Sequence, residues 1–241
     1  LDLHYQPELD LLTGDVLGVE GLARWNHPTM GMLSADAFVT VAEDAGLVAK
    51  LGRWALQTAC GRLAAWGHDH PELAMRVNVS AAQLASDEFV ADVGDIISVV
   101  GVDAHRLCLE ITETAVMTDV DESMRVLAEL ADLGVQLAID DFGTGFSSLA
   151  YLRRFPVEVL KIDQSFVADI VEPDGRAIVT AILQLAASLG LDVIAEGIES
   201  TVHHEALVDL GCRRGQGHKF APAMPEHDLL GWLAGRAGSG S

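Results

Sequence analysis

At 241 residues the chain can enclose a large core, a length that suits one α/β barrel as well as two small domains. Its 36 acidic and 15 basic residues give a formal charge of -21, which repels long nucleic acids and anionic membranes and requires any phosphate ligand to be bound locally. The most apolar stretch, Val179 to Ala195, is interrupted by Gln184, Ser188 and Asp192 and is no membrane span; Cys60, Cys108 and Cys212 stand singly without CxxC spacing and read as buried reduced thiols.

The chain opens on a strand-like segment with no signal peptide, as expected of a domain cut from a longer protein. Leu3 to Leu11 and Val16 to Ala23 flank Leu12-Thr13-Gly14-Asp15, which predicts a hairpin and an antiparallel first pair. Helix and strand alternate afterwards. Ser34 is placed to cap a helix that stops at Ala45-Gly46, and a second helix runs from Leu51 to Gly67. Met75 to Val79 is a strand, Ala81 to Val100 a helix, Leu107 to Thr112 a strand, and Asp121 to Leu133 an amphipathic helix with Met124, Leu127 and Leu130 inward. Then follow strand Val135 to Ile139, short helix Ser147 to Arg153, strand Val157 to Ile162, helix Arg176 to Leu189 and strand Leu191 to Ala195. Helix Thr201 to Leu210, strand Arg213 to Gln216 and a last helix near Asp228 to Leu233 complete the order. Gly134, Gly190 and Gly211 each follow a helix and precede a strand, where glycine takes the left-handed cap. The pattern is α/β and predicts a modified TIM-type (β/α)8 barrel with an antiparallel first strand over residues 1–234; 235–241 reads as a flexible tail or cloning remnant. A doubly wound sheet is the alternative, and no GxGxxG turn supports it.

Nearly every predicted strand ends on a metal- or phosphate-binding residue: Asn78, Glu110, Asp140 with Asp141, Lys161, Glu196 and Gln216, with Glu20 inside its segment. Barrel strands share one C-terminal rim, so these residues converge in space. Two adjacent aspartates reach one centre only where a strand gives way to a loop, a break assigned to Gly143 and Gly145. Oxygen ligands without His or Cys point to Mg²⁺ or Mn²⁺, and the set is large enough for two cations sharing Asp140, an arrangement suited to in-line phosphoryl displacement. Lys161 adds a charge that stabilises a water or a developing phosphorane, or is a structural ion pair. Glu196 is a base or a ligand of the second metal.

Tyr5-Gln6-Pro7, Val19 to Trp25, Asn78-Val79-Ser80, Leu109 to Glu113, Asp140 to Ser148, Leu160 to Asp163, Ala195 to Glu199 and Gln216-Gly217 together resemble the EAL domain, the cyclic di-GMP phosphodiesterase module of bacterial signalling proteins. The resemblance implies metal-dependent hydrolysis of cyclic di-GMP to linear 5′-pGpG by a metal-activated water. By position, Glu20, Asn78, Glu110 and Asp140 would hold one Mg²⁺ or Mn²⁺, and Asp140, Asp141 and Glu196 the other. Lys161 would contact the nucleophilic water, with Gln216 beside it or in a ligand shell. Glu196, Lys161, Glu20 and Asp141 would thus carry the catalysis. Gln6, Leu22 and Arg24 would line the ligand groove, with Arg24 on a phosphate. Glu113 and Glu199 are similar to supporting glutamates, and Phe142 to Ser148 to a loop linking a dimer interface to the site. The resemblance further implies a homodimer fused to sensory or GGDEF domains, a cytoplasmic location for this domain even in a membrane-tethered protein, and neither nucleic-acid polymers nor the membrane as partners.

Two positions depart from the family pattern: Gly21 replaces the signature alanine, and the segment after Gln216-Gly217 lacks the usual aromatic and basic-Pro step, offering His218 and Lys219 instead. A receptor that binds cyclic di-GMP without turnover is the rival from another class, and a Mg²⁺ barrel enzyme stabilising an enolate is a third. His203 and His204 read as surface residues, Trp54, Trp66 and Trp232 as helix packing, and Trp25 as a wall of the groove.

Overall fold

The computed structural model describes residues 1–145 and 149–237. Its strands are β1 (Asp2–Asp10), β2 (Val16–His27), β3 (Gly31–Ser34), β4 (Ala74–Val79), β5 (Leu107–Thr112), β6 (Gln136–Phe142), β7 (Val159–Ile162), β8 (Asp192–Ala195), β9 (Arg214–Gly215) and β10 (Met224–Pro225). Eight of them close a barrel in the order β1-β9-β8-β7-β6-β5-β4-β2, with β2 pairing back onto β1. β1 is antiparallel to β2 and β9, and the pairs from β2 round to β9 are parallel, as the hairpin and the βα rhythm predict. β3 and β10, which sequence patterning does not reveal, extend the sheet beside β2 and β1.

The hairpin forms because Asp10 accepts hydrogen bonds from the Leu12 and Thr13 amides at 2.8 and 2.9 Å, while Gly14 takes φ 77°. Gly134, Gly190 and Gly211 all have positive φ after their helices, which returns the chain to the barrel. Ser34 sits at the N-cap of helix Ala35–Asp44 without a side-chain cap bond. The long helix expected over Ala81 to Val100 is two helices, Ala81–Leu84 and Phe89–Val100. Ser80 and Gln83 form a capping box on the first, and the Phe89 amide turns back to the Ser86 carbonyl to start the second. Helix Glu226–Ala237 continues into the stretch read as a tail; residues 238–241, like 146–148 of the loop expected to link a dimer interface to the site, lie outside the described residues.

Strand periodicity of two sorts side chains between two environments. Met75, Val77, Leu107, Leu109, Ile111, Leu137, Ile139, Leu160 and Ile162 face outward into the main core beneath the helices. Cys108, Ala138, Val159 and Ile194 form a separate small cluster, one layer of the barrel interior. Trp66 closes the core edge-on against Tyr5, at 5.0 Å between ring centroids, and donates to Glu226. Trp54 and Trp232 pack on the core, as expected.

All three cysteines are buried and free, and burial pushes Cys60 and Cys108 up to about 12 and Cys212 up to about 11. An aromatic disulfide reagent at pH 8 is expected to label none of them in native protein and all three in denaturant. Labelling of the native protein would contradict this packing.

Candidate metal and phosphate site

On β4 to β7, and just past the end of β8, a polar rim residue lies two places after an inward residue of the layer beneath. Asn78 thus follows Arg76, Glu110 follows Cys108, Asp140 follows Ala138, Lys161 follows Val159 and Glu196 follows Ile194. Glu20 faces Gln6 across the hairpin and Arg76 across the parallel pair. The rim expected from sequence is therefore assembled by register.

Lys161 is its centre. The fully buried Nζ lies 2.8 Å from Glu110 Oε2, 2.8 Å from Glu196 Oε1, 3.3 Å from Asp140 Oδ1 and 3.6 Å from Glu20 Oε2. Burial opposes the lysine charge, but the surrounding carboxylates outweigh it and hold the ammonium protonated well above its usual range. Gln216 donates to Glu20 Oε2 at 2.5 Å and to Glu196 Oε1 at 3.0 Å, and Asn78 donates to Glu20 Oε1 at 2.7 Å. For Glu20, burial pushes upward, yet Lys161 and these two amides hold it below the usual carboxylate range. Burial pushes Glu196 the other way, to about 8, with Asp140 and Glu20 adding repulsion against the pull of Lys161. Glu110, wholly buried, is raised well above normal for the same first reason.

The strand break lies at Asp141, two residues before the first of the glycines, Gly143 and Gly145, to which the sequence assigns it. Asp141 takes φ 52°, rare for a non-glycine residue, and the β6–β7 register shifts between Ile139 and Phe142. This bulge brings oxygens of Asp140, Asp141 and Glu196 within 4.8 Å of one another, a donor set of hard oxygens that fits a divalent cation. Glu20, Asn78 and Glu110 stand beside that set, engaged with Gln216, Lys161 and each other. Burial, with Asp140 and Asp163, pushes Asp141 up to about 6.

Glu113 is buried and accepts the Gly143 amide at 3.0 Å, holding the loop after the bulge. Glu199 is exposed on the wall of a cavity of about 780 Å³ that opens above the carboxylates. Gln6, Leu22, Arg24, Asn78, Asp140, Asp141, Glu196 and Gln216 also line it, and Lys161, Glu110 and Glu113 lie behind its surface. His218 reaches the wall, whereas Lys219 folds back to donate to Thr201 at 3.1 Å. Trp25 packs edge-on against His27 and Phe38 and does not line the cavity. His203 and His204 are half-buried rather than superficial: the His204 ring meets the Leu11 carbonyl at 2.8 Å and stacks edge-on with Phe220. Gly217 has φ 158°, and a Cβ there would lie 2.3 Å from the Ile198 backbone, so only glycine lets Gln216 lie this close to Glu196.

Sequence reading missed Asp163, which lines the cavity near Asp141, and an ionic group of Glu8, Arg76 and Arg214 beneath the rim. A signal for the latter existed, since Glu8 follows Gln6 by two residues and Arg76 and Arg214 precede Asn78 and Gln216 by two.

The EAL domain family model matches residues 1–223. The chain belongs to the EAL domain family. It is 42% identical over 242 residues to the uncharacterized protein Rv1354c of Mycobacterium tuberculosis, covering 98% of this chain and 38% of that protein. It is 39% identical over 236 residues to MucR of Pseudomonas aeruginosa, a bifunctional diguanylate cyclase/cyclic di-GMP phosphodiesterase, covering 97% of this chain and 34% of MucR. This EAL domain therefore spans little more than a third of these relatives. The solved PaMucR phosphodiesterase in complex with c-di-GMP superposes with a TM-score of 0.92 at 40% identity, covering 95% of this chain and 93% of the other. No described helix is long and apolar enough to cross a membrane.

A cation held by Glu196 and Asp141 would have to displace the protons that burial favours on them, with Glu196 pushed up to about 8 and Asp141 to about 6. Calorimetric Mn²⁺ affinity is expected to rise about tenfold per pH unit between 6 and 8 and to level off above, with proton release. A flat profile would contradict coordination by carboxylates that burial keeps protonated.

Proposed function

We propose that this EAL domain hydrolyses cyclic di-GMP to linear 5′-pGpG with two divalent cations, Mg²⁺ or Mn²⁺. One observation carries the reading: Glu20, Glu110, Asp140 and Glu196 crowd around a single ammonium, with Asp141 beside Asp140 and Glu196, on the floor of a cavity whose basic lining residues are Arg24 and His218. Five carboxylates against Lys161, with Arg76 more distant at 4.0 Å from Glu110 and bonded to Glu8, leave an excess that two divalent cations would neutralise. Its family membership, and the cyclic di-GMP complex of PaMucR, support that choice of substrate.

Asp140, Asp141 and Glu196 would hold one cation, and Glu20, Asn78, Glu110 and Asp140 the other. When bound, such cations polarise a phosphodiester and supply a nucleophilic water at neutral pH. Arg24, with Gln6 and Leu22 beside it, binds and orients a substrate phosphate from the cavity wall. The attacking water gives its proton to a carboxylate oxygen of Glu196 not engaged by the cation, and the ribose 3′-oxygen departs in line and takes up a proton from solvent in the open cavity. Lys161 keeps Glu110, Glu196 and Asp140 in place and supplies fixed positive charge as the phosphorane develops. Gln216 fixes the orientation of Glu20 and Glu196. Glu113 steadies the loop at Gly143, with Glu199 at the cavity wall as a second support. The reading extends to a cytoplasmic homodimeric module working beside sensory or GGDEF domains in a longer protein; the bifunctional name of MucR supports the fused cyclase. A second reading, a receptor without turnover, is favoured only by the segment after Gln216, where Lys219 turns away from the cavity.

Incubation with cyclic di-GMP and Mn²⁺ or Mg²⁺, followed by chromatography, is expected to yield 5′-pGpG, and a chelator to stop it. Bound but intact nucleotide would favour the receptor. Glu20→Ala and Asp140→Ala should each lower turnover by more than about 100-fold, since outer-shell partners of a metal alone cost about 10–100-fold. His227→Ala, at a distant exposed position, should stay within about twofold, and equal losses in all three would refute the assignment.

Gly21 is sterically open, because a Cβ there would meet its nearest atoms at 3.5 to 3.7 Å, ordinary contact distances. Gly21→Ala should therefore stabilise the fold by about 0.4–1 kcal/mol in thermal or denaturant unfolding without changing turnover.

A further inference from the structure

One layer beneath the rim carboxylates, the barrel interior is ionic on one side. Glu8 of β1 is fully buried and accepts hydrogen bonds from Arg76 Nε at 2.5 Å and Arg214 Nε at 2.6 Å. Arg214 in turn donates to the exposed Asp192 at 2.9 Å, at the start of β8. Arg76 is also fully buried, and neither of its terminal nitrogens has a hydrogen-bond partner among the described residues. Its Nε lies 4.0 Å from Glu110 Oε1, an oxygen that likewise has no partner, while Glu110 Oε2 is bound by Lys161 at 2.8 Å. Gly18, opposite Glu8 in the hairpin, leaves room for this arrangement, since a Cβ there would already stand 3.4 Å from Glu8 Oε2 and 3.1 Å from the Ala74 carbonyl.

Arg76 thus stands between two carboxylates and is bonded to one. A buried guanidinium deprived of its counter-ion takes the nearest remaining one, and here that is Glu110. Glu110 already shares an oxygen with Lys161; a second cationic partner on Oε1 would leave it little charge to offer a metal. We infer that Glu8 is a positioning residue whose hydrogen bond retains Arg76 and so keeps Glu110 available to a divalent cation. The inference rests on the cation reading of the site given above.

The test is a calorimetric Mn²⁺ titration of the whole chain, comparing the unmutated protein with Glu8→Gln and Glu8→Gln/Arg76→Met, each checked for folding by circular dichroism. Glu8→Gln is expected to weaken Mn²⁺ about tenfold or more, in the range of outer-shell effects. The double variant removes the released cation as well, and its affinity should return to within about threefold of the unmutated protein. A merely structural role would lower the melting temperature without this recovery. Unchanged affinity in folded Glu8→Gln, or a double variant as weak as the single one, would overturn the proposal. If Glu8→Gln does not fold, the double variant decides alone: near-native affinity supports the restraint, and a tenfold loss overturns it. Absence of Mn²⁺ uptake by the unmutated protein would instead overturn the cation reading, and the proposal with it.

Discussion

A single ammonium buried among carboxylates sets the terms for this structure. Lys161 Nζ reaches four acidic side chains, three on β2, β5 and β6 and one just past the end of β8, and none of those strands can shift register without removing its carboxylate from that charge. Its isolation in an apolar barrel would be prohibitive, as would burial of the acids without it. The lysine and its acids therefore specify one another, and the residual negative charge makes the cavity floor a place for cations.

That arrangement depends on the alternation of side chains along the parallel strands. Outward residues build the apolar layer beneath the helices, while inward residues divide into a lower layer and a polar rim. The lower layer is itself divided, with Cys108, Ala138, Val159 and Ile194 on one side and the Glu8, Arg76 and Arg214 group on the other. Polar interactions consequently run from Asp192 at the start of β8 through Glu8 to the neighbourhood of Glu110 and Lys161. Charge changes low in the barrel are thereby coupled to the rim by proximity alone.

Backbone departures from regular geometry finish the site. Asp141 in the left-handed region turns two consecutive aspartates toward one centre, which a regular strand forbids. Gly217 lies against the backbone of Ile198 and brings Gln216 onto both Glu20 and Glu196. Between them, these two features join the β6, β8 and β9 ends of the rim.

The sequence alone determined the βα order, the antiparallel hairpin and the polar strand ends, because these rest on local turn chemistry and on a periodicity of two that any register must respect. Leu12 to Asp15, the glycines at 134, 190 and 211, and the residues Asn78, Glu110, Asp140, Lys161 and Glu196 were legible for that reason. Tertiary structure decided what depends on contacts between distant segments. Glu8 meets Arg76 and Arg214 across separations of 68 and 206 residues, and no local pattern encodes such a pairing. The same holds for β3 and β10, for the break at Asp141, for the His204 contact with Leu11 and for Lys219 turning away from the cavity. Each is fixed by the closure of the barrel, which sets distances between strands that the chain's own neighbours cannot.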